Sequence, residues 1–112
     1  MGYRIHVAEV YQVKHHTFDC FSNKQGEINR LLYNECPDLS WQGEDVESSE
    51  HLEVTRTDLA RLIAKMVQQR RRYEIWREKN QIVESLDDII GIIAKLLAFG
   101  DPRNDYVVLN WY

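Results

Sequence analysis

Apolar residues recur along this chain with two periods, and each change of period marks a new element. Tyr3, Ile5, Val7, Tyr11 and Val13 alternate with Arg4, His6 and Gln12, which predicts a strand over residues 3–13 with one face buried. Glu9 and Val10 interrupt the alternation, as a bulge over residues 8–10 would. Residues 14–21 contain no Asn-Gly or Asp-Gly pair to make a tight turn, so they read as a loop with an extended end. The alternative is a return strand through Thr17, Phe18 and Cys20.

The period then lengthens. Ile28, Leu31, Leu32 and Glu35 stand at helical spacing behind Ser22 or Asn23 as cap, and Cys36 is the boundary because the residue before Pro37 avoids helical dihedrals. Leu52 and Val54 mark a short strand over residues 50–55. A helix runs from Thr57, its cap, to Lys79, with Asp58 at the positive end of the dipole. Asn80 and Gln81 end it. Ser85 to Asp88 resembles a capping box and opens a helix over residues 86–99, whose Leu86, Ile89, Ile90, Ile92, Ile93, Leu96, Leu97 and Phe99 cover half its circumference. This is the buried helix, with Gly100 as the expected C′ residue and Pro102 as a stop. After a turn at residues 101–104, residues 105–112 are apolar on both faces, which suits a central strand. Loss of the last three residues is expected to harm folding. The order β-α-β-α-α-β makes an α+β protein, with three helices on at least one face of a sheet of three or four strands.

Composition adds bounds. A chain of 112 residues, 44% hydrophobic, 29% charged and 11% aromatic, is sized for one domain over residues 1–112 that folds without disulfide or metal. The net charge of −4 argues against a general nucleic-acid binder. Cys20 and Cys36 form no Cys-x-x-Cys pair, no leader pattern opens the chain and no apolar run is long enough for a membrane span. The expectation is a cytoplasmic protein with two reduced thiols, a Cys20–Cys36 disulfide being the alternative.

The helix over residues 57–79 carries the main functional signal. At ~100° per residue, Leu59, Leu62, Ile63 and Met66 form one apolar stripe, with Val67 at its edge. Beyond Val67 the same stripe receives Arg70, Tyr73 and Arg77, while Ile75 and Trp76 fall outside it. Two buried guanidiniums require partners, or this half of the helix leaves the core. Arg70, Tyr73, Ile75, Trp76 and Arg77 are therefore the candidate contact surface for a protein partner, most simply a second copy. The competing reading has Ile75 and Trp76 covering the first helix or the acidic stretch of the same chain. Arg61, Lys65, Arg72 and Lys79, flanked by Arg71, make a basic stripe that suits phosphate contacts with Trp76 stacking on a base. The competing reading here is a solvated face, or one neutralised by the seven carboxylates of residues 35–53.

Those carboxylates (Glu35, Asp38, Glu44, Asp45, Glu47, Glu50 and Glu53) lie in a stretch without Lys or Arg, with Leu39 and Trp41 as its anchors to the core. It reads as a solvated loop, or as a surface for a basic partner. His15, His16, Asp19 and Cys20 have the residue types of a metal or thiol site, with His6 and His51 as further ligands in space. Neither the spacing of a zinc site nor a base for the thiol accompanies them, and neighbouring residues of a strand point to opposite faces. The sequence calls for no cofactor. It points to a non-enzymatic interaction module, self-associating, with a nucleic-acid accessory protein second and a metal protein or enzyme at residues 15–20 third.

Overall fold

A computed structural model describes residues 5–8, 15–18, 20–99 and 101–111. Its sheet has five strands, β1 (Ile5–Ala8), β2 (His15–Phe18), β3 (Ser40–Trp41), β4 (His51–Thr55) and β5 (Tyr106–Trp111), in the order β2-β1-β5-β4-β3. Every neighbouring pair is antiparallel. Helices α1 (Gln25–Glu35), α2 (Arg56–Gln68), α3 (Arg70–Lys79) and α4 (Leu86–Phe99) complete the fold among the described residues. The α+β class matches the sequence reading. The strands exceed three or four because β2 was only the second reading of its segment and the two-residue β3 was not read as a strand, and the helices exceed three because the long one breaks at Gln69.

The sheet is built from alternation. Ile5, Val7, Leu52, Val54, Val107, Leu109 and Trp111 are buried and share one core with Ile28, Leu59, Leu62, Met66, Ile89 and Ile93. On β4 and β5, the intervening His51, Glu53, Thr55, Tyr106, Val108 and Asn110 are half-buried or exposed. So β5 is central, as expected, but it is covered on one face rather than two. Sequence periodicity misses this because Tyr106 and Val108 are apolar without being enclosed. The stretch 14–21 also differs from the loop reading. His15 to Phe18 pair with Ala8 to Ile5 and form the return strand. The expected bulge at 8–10, the positions of Tyr11 and Val13, and Gly100 as C′ residue lie outside the described residues.

Helix boundaries follow local chemistry, with two shifts. Neither Ser22 nor Asn23 caps α1. Phe21 and Asn23 take positive φ (56° and 62°), and Lys24 holds the cap position without a side-chain bond. A bulky residue at positive φ needs a hold, and the Phe21 N–H donates to Glu84 Oε2 at 3.0 Å. Helix α2 starts two residues earlier than a Thr57 cap implies. Thr55 accepts from Asp58 N at 3.2 Å, and the helix begins at Arg56. Cys36, extended before Pro37, ends α1 as expected, and Ser85 Oγ accepts from Asp88 N at the start of α4.

One buried side chain ties three of these parts together. Asn29 is fully buried on α1. Its Nδ2 donates to Val46 O and Ser49 O at 2.9 Å each, and its Oδ1 accepts from the buried Trp111 indole at 2.9 Å. The indole N–H is only a donor and the carbonyls are only acceptors, so the amide has a single satisfying orientation. Gln25 Nε2 donates to the same Ser49 carbonyl at 2.8 Å. Arg56 does comparable work at the other end of the sheet. It donates to Leu97 O, Asp101 O and Asn104 O at 2.7, 2.6 and 2.9 Å, and so closes the end of α4 against the start of α2.

Asn29→Ala strands the Trp111 indole N–H in the interior and takes one of two donors from each of the Val46 and Ser49 carbonyls, which keep Ser49 N and Gln25 Nε2, and it is expected to lower stability by about 2 kcal/mol. Urea unfolding of the variant checks this, and a change under about 1 kcal/mol would remove Asn29 from its central place.

Candidate functional site

The α2–α3 segment is where sequence and structure meet most closely. Gln69 (φ −117°, ψ 47°) interrupts it between helices that stay joined by Gln69 N to Lys65 O at 2.7 Å and Tyr73 N to Gln69 O at 3.4 Å. Leu59, Leu62 and Met66 are buried before the break, as the apolar stripe requires, and Tyr73 after it. The two guanidiniums in that stripe have partners within the chain. Arg70 Nη2 lies 2.9 Å from Asp87 Oδ1 at the start of α4. Arg77 reaches Glu74 Oε1 at 3.1 Å and Ile82 O at 2.9 Å. Trp76 is half-buried against the core. Of the five residues read as a partner surface, Tyr73, Trp76 and Arg77 are therefore engaged inside the molecule, and Arg70 is exposed but paired. Ile75, 49% exposed, is the one apolar side chain among them that faces outward.

Around Ile75 the outer face of α2 and α3 shows a pattern that the inward stripe conceals. Ala60, Ala64, Val67, Arg71 and Ile75 are all exposed and recur at intervals of four, three, four and four. Val67 is 55% exposed. Sequence reasoning placed Val67 at the edge of the core stripe and passed over both alanines, because small residues carry little weight in a hydrophobic pattern.

On the opposite side of α3 a cleft of about 400 Å³ opens against α1. Glu35, the last residue of α1, sits at one end with its side chain 7% exposed. Lys65 Nζ binds its Oε1 at 3.2 Å and Arg72 Nη2 its Oε2 at 2.9 Å. A nearly buried carboxylate needs such partners, and two cations from α2 and α3 supply them. The Tyr73 ring packs beneath the Arg72 guanidinium at 5.1 Å. Its hydroxyl is buried beside the Glu35 carboxylate, close enough to feel it but without a well-formed hydrogen bond. Burial, and then the neighbouring Glu35 charge, push the Tyr73 pKa up to about 12. Burial, with Asp58 and Glu35 close by, likewise pushes the Cys36 thiol up to about 12. Arg30, Asn34, Trp76 and Asn80 line the rest of the cleft.

The basic stripe is thus largely neutralised by its own chain. Arg61 pairs with the buried Asp58 at 3.1 Å, and Lys65 and Arg72 share Glu35. Arg71 and Lys79 make no ion pair among the described residues. Asp58, read as a dipole partner, also accepts from Asp38 N at 3.0 Å and so fixes the turn after α1. The acidic stretch is held mainly by its backbone carbonyls through Asn29, with Arg30 pairing to Glu47 at 3.1 Å. Trp41 meets Tyr33 edge-on, ring centres 5.4 Å apart, and packs with Leu39 against the core.

His15 and His16 are consecutive positions of β2, opposite Ala8 and Val7, while Asp19 lies outside the described residues. His6 and His51 flank Asn110 from the two neighbouring strands, and His51 Nδ1 lies 3.0 Å from Asn110 Oδ1. Among the described residues no group of three His, Cys, Asp or Glu side chains is arranged to hold a metal ion. Cys20 and Cys36 are buried, and neither is in a disulfide. No described helix is long and apolar enough to cross a membrane.

No protein-family model matches the chain, and no curated protein and no solved structure matches it.

Tyr73→Phe removes a buried hydroxyl that lies beside the Glu35 carboxylate without a well-formed hydrogen bond, and it is expected to change stability by less than about 1 kcal/mol at neutral pH. The folded pKa lies above the usual value near 10, so the native state resists ionisation of Tyr73. The wild-type protein therefore keeps the full contribution of this group below pH 10 and loses it as pH rises towards 12. The phenylalanine variant lacks that loss. Urea unfolding at pH 7 and across the alkaline range should show the variant gaining stability relative to the wild type as pH rises. A variant that loses ground with rising pH contradicts the assignment.

Proposed function

We propose that this protein is a non-enzymatic protein-interaction module that associates with a second copy of itself through the outer face of α2 and α3. The observation that carries the reading is the exposed seam of Ala60, Ala64, Val67, Arg71 and Ile75. Alanines allow two helix backbones to approach closely, and Val67 and Ile75 supply apolar area that this chain leaves in solvent.

The seam also complements itself. A two-fold contact brings the same patch from both copies together. If two such helices run antiparallel about an axis at Val67, Ile75 of each copy lies over Ala60 of the other. Arg71 then lies along Ala64, and the two Val67 side chains meet. Large residues face small ones at both ends, which is the arrangement close packing needs. The Arg71 stem covers alanine while its charged head reaches water. The reading places the protein in a reducing, cytoplasmic setting, which suits two buried cysteines without a disulfide.

Size-exclusion chromatography with light scattering tests the proposal. The unmodified protein is expected at the mass of two 13.3-kDa chains, and Val67→Asp/Ile75→Asp at the mass of one with its circular dichroism unchanged. Arg72→Gln, on the cleft side of α3, should stay dimeric. A monomer for the unmodified protein at concentrations approaching ~1 mM would end the reading.

A further inference from the structure

We infer that the cleft between α1 and α3 is a binding site for a nucleoside monophosphate. The residues that line it come from elements far apart in sequence, and they supply what such a ligand needs. Its volume of about 400 Å³ falls in the range of small-molecule sites, roughly 300–1,000 Å³. Trp76, half-buried in one wall, presents an aromatic surface for a planar base. Arg30 on α1 and Arg72 on α3 both line the cleft, and both are about half exposed.

Neither guanidinium is used up by the fold. Each has five N–H donors. Among the described residues Arg30 is held by Glu47, and Arg72 by Gln69 and Glu35. The remaining donors suit the oxygens of a phosphate, which arginine binds with two parallel bonds. Asn34 is exposed at the same cleft, and its amide offers the donor–acceptor pair that matches the edge of adenine. The carboxylates at the site do not repel the phosphate unopposed. Glu35 is bracketed by Lys65 and Arg72, and Glu27 lies 3.7 Å from Lys24.

The same surroundings limit the ligand to one nucleotide. Arg61 and Lys65 are committed to Asp58 and Glu35, so the basic stripe offers no continuous track for a backbone. The exposed Glu44, Asp45 and Glu50 and a net charge of −4 oppose a long polyanion. The cleft residues are distinct from the outer seam, so this site stands or falls apart from self-association.

Titration calorimetry at low salt with adenosine 5′-monophosphate tests the inference. Saturable binding is expected, with adenosine and inorganic phosphate each at least about tenfold weaker, since each lacks one half of the recognition. Arg30→Gln, a surface change, and Trp76→Leu should each weaken binding by about tenfold while thermal melting shows that the variants fold. A 5′-phosphorylated single-stranded tetranucleotide tests the limit to one nucleotide. Weaker binding than the mononucleotide is expected, and tighter binding would overturn the inference. The inference is overturned by the absence of saturable binding at about 5 mM ligand, by equal binding of adenosine, by affinity unchanged in both variants, or by a duplex that binds more tightly than either.

Discussion

The fold depends on the primary amide of Asn29. With the Trp111 indole on one side and the carbonyls of Val46 and Ser49 on the other, it joins the first helix, the acidic segment and the last strand. Every partner is main chain or indole, so no charge is involved and salt does not screen the contact. The acidic segment owes its place to this amide more than to its charges. Its exposed carboxylates are free to face solvent because its backbone is already satisfied inside. Burying an amide without these partners would cost more than the contact returns, which makes the site sensitive to any change in shape.

A second layer of polar contacts orders the helices. Glu35 and Asp58 are acids with almost no exposed surface, and each takes a cation from the stripe along α2 and α3. The basic stripe is thereby partly neutralised within the molecule, while most carboxylates of residues 35–53 stay in solvent. Asp58 also holds the turn at Asp38, so one side chain caps no helix of its own yet fixes the exit of another. What these pairings leave over is informative: a seam of small and apolar residues on the outer face of α2–α3.

The α+β class, the central place of β5, the cap at Ser85 and the stop at Cys36 were legible because each has a local cause in periodicity or dihedral preference. The requirement that Arg70 and Arg77 find partners was legible too, as an energetic argument, but their identities were not. Asp87 and the Ile82 carbonyl lie beyond the helix, and only the turn after Lys79 brings them back. Strand β2 ranked second to a loop because its pairing with β1 is not announced by a tight turn. Strand β3 escaped because two residues set no period. Asn29, Arg56 and Glu35 were unreadable as key residues for a common reason. Each bonds to groups 17 to 82 positions away, and nothing in the neighbouring sequence reports such contacts. The cleft was half legible, since Arg72 and Trp76 were both singled out while the contribution of α1 was not.

The most direct test of the account is the hydrogen-exchange rate of the Trp111 indole N–H, followed by nuclear magnetic resonance. If the Asn29 amide is the joint on which the fold depends, this proton exchanges only through global unfolding, and its protection matches the free energy from urea unfolding. Exchange at a rate set by a smaller, local opening, with the core amides still protected, would show that the last strand and the acidic segment part from α1 without loss of the fold. That result would contradict the account.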